Sequence, residues 1–134
     1  RVIPLFIAQA SGGEDLTVYG DNKLLDFTYI DDCVDGVVNV IEQFNKASGT
    51  TFNIASGQGT SLIELAEEIV NATDSEASIH IEPNRTGEVS RYVADISKAR
   101  RILDYEPTYS LREGLSATVD WYRSRPNLFK TIVD

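Results

Sequence analysis

A mixed α/β domain of the α+β kind is what this sequence predicts, and three observations carry the expectation. Short β-branched and aromatic runs such as LTVY and SIHIE alternate with longer stretches whose apolar residues recur at helical spacing. Two Ser-x-x-Glu signatures, Ser61 to Glu64 and Ser110 to Glu113, open two of those stretches as capping boxes. No internal repeat or low-complexity run breaks the alternation, which excludes solenoid and disordered classes.

The elements follow in order. Residues 3–11 predict a short helix, with Pro4 in its first turn and Gly12 and Gly13 as its stop. Ile3, Phe6, Ile7 and Ala10 share one side and read as the face of a docking helix with few partners inside the chain. Residues 16–20 (LTVYG) and 24–30 (LLDFTYI) read as paired strands about the turn former Asp21-Asn22-Lys23. Asp31 is placed to cap the next helix, on which Val34, Val37, Val38, Ile41 and Phe44 recur at helical spacing as a core stripe. Residues 50–56 (TTFNIAS) predict a strand. After a glycine turn, the helix opened by Ser61 directs Leu62, Leu65, Ala66 and Ile69 inward. Residues 77–83 (ASIHIEP) alternate as a strand, and Asp95 caps a helix over 96–104 that Pro107 closes. The last helix buries Leu111, Leu115, Val119 and Tyr122 and ends near Pro126.

At 134 residues and 42% hydrophobic, the chain suffices for one core, so a single domain over residues 1–134 is expected. A net charge of −9 opposes nonspecific attraction to nucleic acid or to an anionic membrane, and neither is expected as a partner. The lone Cys33 forbids an internal disulfide, fits a reducing, cytoplasmic setting and reads as a buried core thiol. No apolar run approaches the roughly 20 residues of a membrane span. Arg1 opens no signal peptide, and a start without Met is what an excised fragment shows.

Several motifs invite chemistry and read more simply. Gly57-Gln58-Gly59 lies between a strand and a helix, with Glu82 ending a strand further on, as a dinucleotide fingerprint would require. Its third glycine position is Leu62, however, whose side chain obstructs close helix packing, so an ordinary tight turn is expected. Tyr19 and Lys23 match Tyr-x-x-x-Lys, but the base chemistry of that dyad needs both on one helix face and here a turn intervenes. His80 alternates with Ile79 and Ile81 and is expected in solvent. With one His and one Cys there is little from which to build a zinc site or a nucleophile system, so no catalytic, cofactor-binding or metal-ligating residue is assigned. Arg100-Arg101 reads as a solvated pair.

The most informative stretch is residues 85–107, RTGEVSRYVADISKARRILDYEP. Arg85 and Glu88 flank a glycine that lets the backbone approach a ligand, so a phosphate-facing guanidinium and a hydroxyl-facing carboxylate can share one site. Such a pairing suits a nucleotide sugar. The stretch resembles the R-x-G-D/E loop and following D-x-S-K-A-x-x-x-L helix of the extended short-chain dehydrogenase/reductase family, the NAD-dependent nucleotide-sugar epimerases and dehydratases. Five further segments resemble the same family in the same order: RVIPLFI, LTVYGD, DFTYIDDCVDGVVNVIE, FNIASGQGTSLIELAEEI and SLREGLSATVDWYR.

The resemblance implies the small substrate-binding domain of such an enzyme, its carboxyl-terminal portion without the Rossmann half. It implies that Val2, Val18 and Tyr19 line a base pocket, with the Tyr19 ring beside the pyrimidine, that Arg85 binds the diphosphate, and that Glu88 accepts from ribose hydroxyls. The chain departs from the family's G-x-Q-x-R-D/N-F/Y turn, since DNKLLDF is shorter and puts Leu25 where a phosphate-binding arginine belongs. Lys23 is expected to reach that anion as a point charge, without the bidentate fork. The Rossmann G-x-x-G-x-x-G turn, the helical Tyr-x-x-x-Lys and its Ser/Thr partner are not in this sequence. NAD is therefore expected in a full-length enzyme and not on this chain, which is not expected to catalyse alone. The resulting expectation is the nucleotide-diphosphate-sugar binding part, UDP or dTDP type, of an enzyme similar to UDP-glucose 4-epimerase. Its partners would be that ligand, a Rossmann domain and further copies of itself. A free-standing noncatalytic ligand-binding or interaction domain is the alternative.

Overall fold

The structure, a computed structural model, describes residues 2–125. Helix α1 (Val2–Ser11) leads through Gly12 and Gly13 into strand β1 (Leu16–Tyr19), and a turn precedes β2 (Leu24–Leu25). Helix α2 (Ile30–Glu42) and the single turn α3 (Phe44–Ala47) follow, then β3 (Thr60–Ser61) and α4 (Leu62–Thr73). The chain continues as β4 (Ile79–Glu82), β5 (Arg91–Tyr92), α5 (Ser97–Leu103) and α6 (Leu111–Arg123). This is the mixed α/β architecture expected. Pro126, the expected end of the last helix, lies outside the described residues. No helix among the described residues is long and apolar enough to cross a membrane.

The strand pairing differs from the hairpin expected. β1 pairs parallel with β4, Leu16 opposite Ile79 through Tyr19 opposite Glu82, while β2 lies antiparallel to β3 and parallel to β5. Asp26 gives the reason. In the middle of the expected second strand its carboxylate accepts from the backbone N–H groups of Ser56, Gly57 and Ala94, at 3.0 to 3.2 Å. Satisfying those half-buried donors draws residue 26 toward two distant loops, and the pairing with β5 ends where Asp26 N donates to Tyr92 O at 2.9 Å. Residues 50–56 likewise form no strand, and among the described residues no backbone ladder meets them. They run without regular structure, held by Tyr105 Oη donating to Ala55 O and Lys98 Nζ donating to Thr51 O, both at 2.9 Å.

The core is two clusters rather than one. Phe6, Ile7, Ala10, Leu16, Val18, Leu65, Ala66, Ile69, Leu115 and Val119 pack α1, β1, α4 and α6 together. So α1 is an integral core helix, contrary to the docking helix expected. A second cluster of Ala47, Ile96, Ala99, Leu103 and Tyr105 takes in Phe52 and Ile54 of that segment. The two capped helices begin where their sequences say, Ser61 Oγ accepting from Glu64 N and Ser110 with Glu113 forming a reciprocal capping box. At α5 Ile96 holds the cap position, and Asp95 Oδ1 accepts from Ser97 N at 2.9 Å just ahead of it.

Helix α2 corrects the sequence most. Its expected core stripe faces outward, with Val34, Val37 and Val38 between 41 and 51% exposed, Ile41 67% and Phe44 64%. The buried side carries Asp32 and Gly36 instead. A Cβ on Gly36 would stand 2.4 Å from Ile54 Cγ2, so only glycine lets the helix lie this close to residues 50–56. Asp31 caps nothing, since Tyr29 takes the N-cap position with no side-chain bond. Its neighbour Asp32 is buried and accepts from Thr108 N at 2.7 Å and Tyr109 N at 3.2 Å, fixing the start of α6. Cys33 is half-buried rather than a core thiol.

Candidate functional site

Pairing alone builds the site. Because β4 lies beside β1 and β5 beside β2, the loop joining β4 to β5 runs alongside the turn joining β1 to β2. Gly20 N donates to Glu82 O and Leu24 N to Ser90 O, each at 2.9 Å, tying the loop at both ends. Gly20 permits the contact between them: its φ is +90°, and a Cβ there would fall 1.8 Å from Asn84 Oδ1. The loop and turn sit at the carboxyl ends of two parallel strands, the position where open α/β sheets place ligands. A depression of about 330 Å³ opens there between Gly20, Asp21, Ile81, Glu82, Pro83 and Asn84.

Four of the residues expected to bind substrate lie on this turn and loop, beside the depression rather than lining it. The Arg85 guanidinium lies over the Tyr19 ring, 3.7 Å from its centroid, a cation–π stack. Lys23 Nζ donates to Glu88 Oε2. The Lys23 side chain is only 6% exposed while that of Glu88 is 40% exposed, so a buried ammonium is matched by a carboxylate at the surface. Glu88 N donates to Arg85 O at 3.3 Å and closes the turn that carries both charges. Asn84 Nδ2 donates to Asn22 Oδ1 at 3.3 Å across the same gap. Chemically, the cluster offers a planar aromatic face, two cations and one carboxylate within a single loop pair.

The other two expected residues lie elsewhere. Val18 is fully buried in the first core cluster, so only its backbone is near the loops. Val2 lines a separate apolar groove of about 750 Å³ with Phe27, Tyr29 and Trp121. Leu25 is half-buried in β2, opposite Tyr92 of β5, and contributes no charge.

The Gly57-Gln58-Gly59 turn does not fit a dinucleotide. The N–H groups of Ser56 and Gly57 are spent on Asp26, and that of Gln58 on Ser56 Oγ at 3.1 Å, which leaves no amide row for a pyrophosphate. His80 is exposed and its Nε2 lies 3.0 Å from Asp15 Oδ2, a contact that, with Ser78 N, holds the Asp15 carboxyl below the usual range. Arg100 forms a two-point pair with Glu106 at the surface.

Sequence reasoning misses Asp26, which holds the end of β2 to two loops, Asp32, which holds the start of α6, and Asn84, which bridges the turn. The available signal was acids set within an apolar run, DFTYIDD, where an unpartnered carboxylate would be expelled.

The model of the GDP-mannose 4,6 dehydratase family matches residues 1–118. UDP-glucuronic acid decarboxylase 1 of Arabidopsis thaliana is 38% identical over 126 residues, covering 93% of this chain and 28% of the relative. An epimerase from Methanothermobacter thermautotrophicus superposes with a TM-score of 0.90 at 33% identity, over 98% of this chain and 39% of that one. UDP-glucuronic acid 4-epimerase from Bacillus cereus, solved with UDP-glucuronic acid and NAD, gives a TM-score of 0.83 at 31% identity, over 92% of this chain and 40% of the other. The chain thus spans well under half the length of these relatives.

Proposed function

This chain belongs to the extended short-chain dehydrogenase/reductase family of NAD-dependent nucleotide-sugar epimerases and dehydratases, and we propose that it binds the nucleoside diphosphate end of a nucleotide sugar. The observation that carries the reading is the convergence of Tyr19 and Lys23 with Arg85 and Glu88, two segments far apart in sequence, at the carboxyl ends of β1 and β4. An aromatic face serves a nucleobase, cations serve a diphosphate and a carboxylate serves ribose hydroxyls. The relatives named above act on different sugars or by different reactions, and what UDP-linked substrates share is the nucleoside diphosphate. This chain's polar loop residues bear on that shared part.

Within a complete enzyme, one resembling UDP-glucose 4-epimerase, the sugar chemistry and the nicotinamide would be served by a Rossmann portion. In the glycine turn the Ser56, Gly57 and Gln58 amides are already bonded within the chain, which supports assigning NAD binding elsewhere.

Isothermal titration with UDP and dTDP tests the reading. Arg85→Ala should weaken binding by about 1.5–3 kcal/mol, the range of a charge-assisted hydrogen bond, and Tyr19→Ala by less. Unchanged affinity after Arg85→Ala would remove the phosphate assignment.

A further inference from the structure

The pairing of Lys23 with Glu88 goes beyond that reading, and rests on it. We infer that this site binds its ligand by an exchange of partners: phosphate oxygens take Lys23 from Glu88, and the released Glu88 carboxylate turns to the ribose hydroxyls. Lys23 thereby becomes the residue that selects a diphosphate.

The exchange follows from how differently the two charges are placed. With its side chain 6% exposed, Lys23 cannot stand as a lone cation, because a buried ammonium without an anion is strongly penalised. It must always have a negative partner. Glu88 is 40% exposed on an outer loop and can leave for water or a hydroxyl at little cost. A diphosphate brings more negative charge and more acceptor oxygens than one carboxylate, so it is the stronger partner for the same ammonium. Within the turn of residues 20–23 and the loop of residues 83–90, Lys23 and Arg85 are the only cations. Arg85, stacked on Tyr19, is the cation already given to the diphosphate, Lys23 is the second, and Leu25 offers nothing. Glu88 therefore holds Lys23 neutralised between ligands and competes with whatever anion arrives.

Inorganic pyrophosphate isolates the first half of the exchange, because it has no ribose. The chain's net charge of −9 repels it, so binding reports a local cation site. By calorimetry, Glu88→Gln should bind pyrophosphate about two- to fivefold more tightly than wild type, the size of a half-exposed ion pair removed as competitor. UDP should gain less, since the same change weakens the ribose acceptor. Lys23→Gln should bind both more weakly, and adding Glu88→Gln to it should restore nothing. A gain that persists without Lys23, or no gain at all, overturns the exchange.

Acetylation of Lys23, followed by mass spectrometry, gives a readout free of ligand. The amine should react faster in Glu88→Gln than in wild type and be protected again by pyrophosphate; equal rates in the two proteins overturn the pairing. If Arg85→Ala weakens UDP while Glu88→Gln leaves pyrophosphate unchanged, the exchange fails and the nucleotide site stands. If neither Arg85→Ala nor Lys23→Gln alters UDP binding, the site itself falls.

Discussion

Single side chains hold this fold at points where no regular element could. Asp26 gathers three backbone N–H groups from two loops, and Asp32 gathers two from the segment leading into α6. Asp26→Ala takes the acceptor from Gly57 N and Ala94 N while Ser56 N keeps Thr28 Oγ1, so a loss of about 2–3 kcal/mol in urea unfolding is expected, with Asp26→Asn losing less because one acceptor oxygen remains. A change below about 0.5 kcal/mol would mean that water replaces the carboxylate. Tyr105 supplies a second test. Burial, first, and nearby carboxylates push its phenol up to about 12, and it donates to Ala55 O. Since the unfolded phenol ionises near 10, the unfolded chain loses its proton first. The stabilisation is thus complete below about pH 10 and is lost as pH rises toward 12. Tyr105→Phe should flatten unfolding stability over that window, and an unchanged slope would place the alkaline loss elsewhere. At this scale the sequence is legible where residue type and glycine spacing coincide, as at Arg85 and Glu88. It is silent on Lys23 with Glu88 as a pair, because 65 residues separate them and only strand pairing joins them.

Elements whose signals are local were readable, and those defined by distant partners were not. The capping boxes at Ser61 and Ser110 fix their helices through bonds spanning three residues. Composition predicts strands over residues 24–30 and 50–56, yet a strand exists only by its neighbour: Leu24 and Leu25 find partners in β3 and β5, and residues 26–30 and 50–56 find none. Helix α2 shows the limit of periodicity. Apolar spacing predicts the valine row as the core face, but that row is exposed, and Gly36 and Asp32 mark the side that packs. Val37→Ala should therefore change unfolding stability by no more than about 0.5 kcal/mol. Leu65→Ala, in the first core cluster, should cost about 2–5 kcal/mol. Equal losses at the two positions would mean that α2 packs through its valines after all.

At the scale of the whole molecule, the two core clusters leave one large apolar surface unspent. The outward row of α2, from Ile30 at 61% exposed to Ile41 at 67%, continues into Phe44 and lies on the helix packed against the unladdered segment of residues 50–56. Helix α1, expected to share this exposure, is excluded because Phe6 and Ile7 are buried. Apolar area on this scale gains free energy by leaving water. A second copy of the chain presents the same row, and a two-fold contact between them buries both at once. The charge of −9 limits growth beyond a small, soluble assembly. Sedimentation of the 134-residue chain over a concentration series should show a monomer–dimer equilibrium, and Val37→Lys with Ile41→Lys should shift it to monomer while circular dichroism stays unchanged. Because those positions are exposed, loss of the dimer cannot be traced to a lost core. A wild-type chain that stays monomeric at every concentration would show that water tolerates this face, and a dimer that survives both lysines would place the contact at residues 50–56 instead.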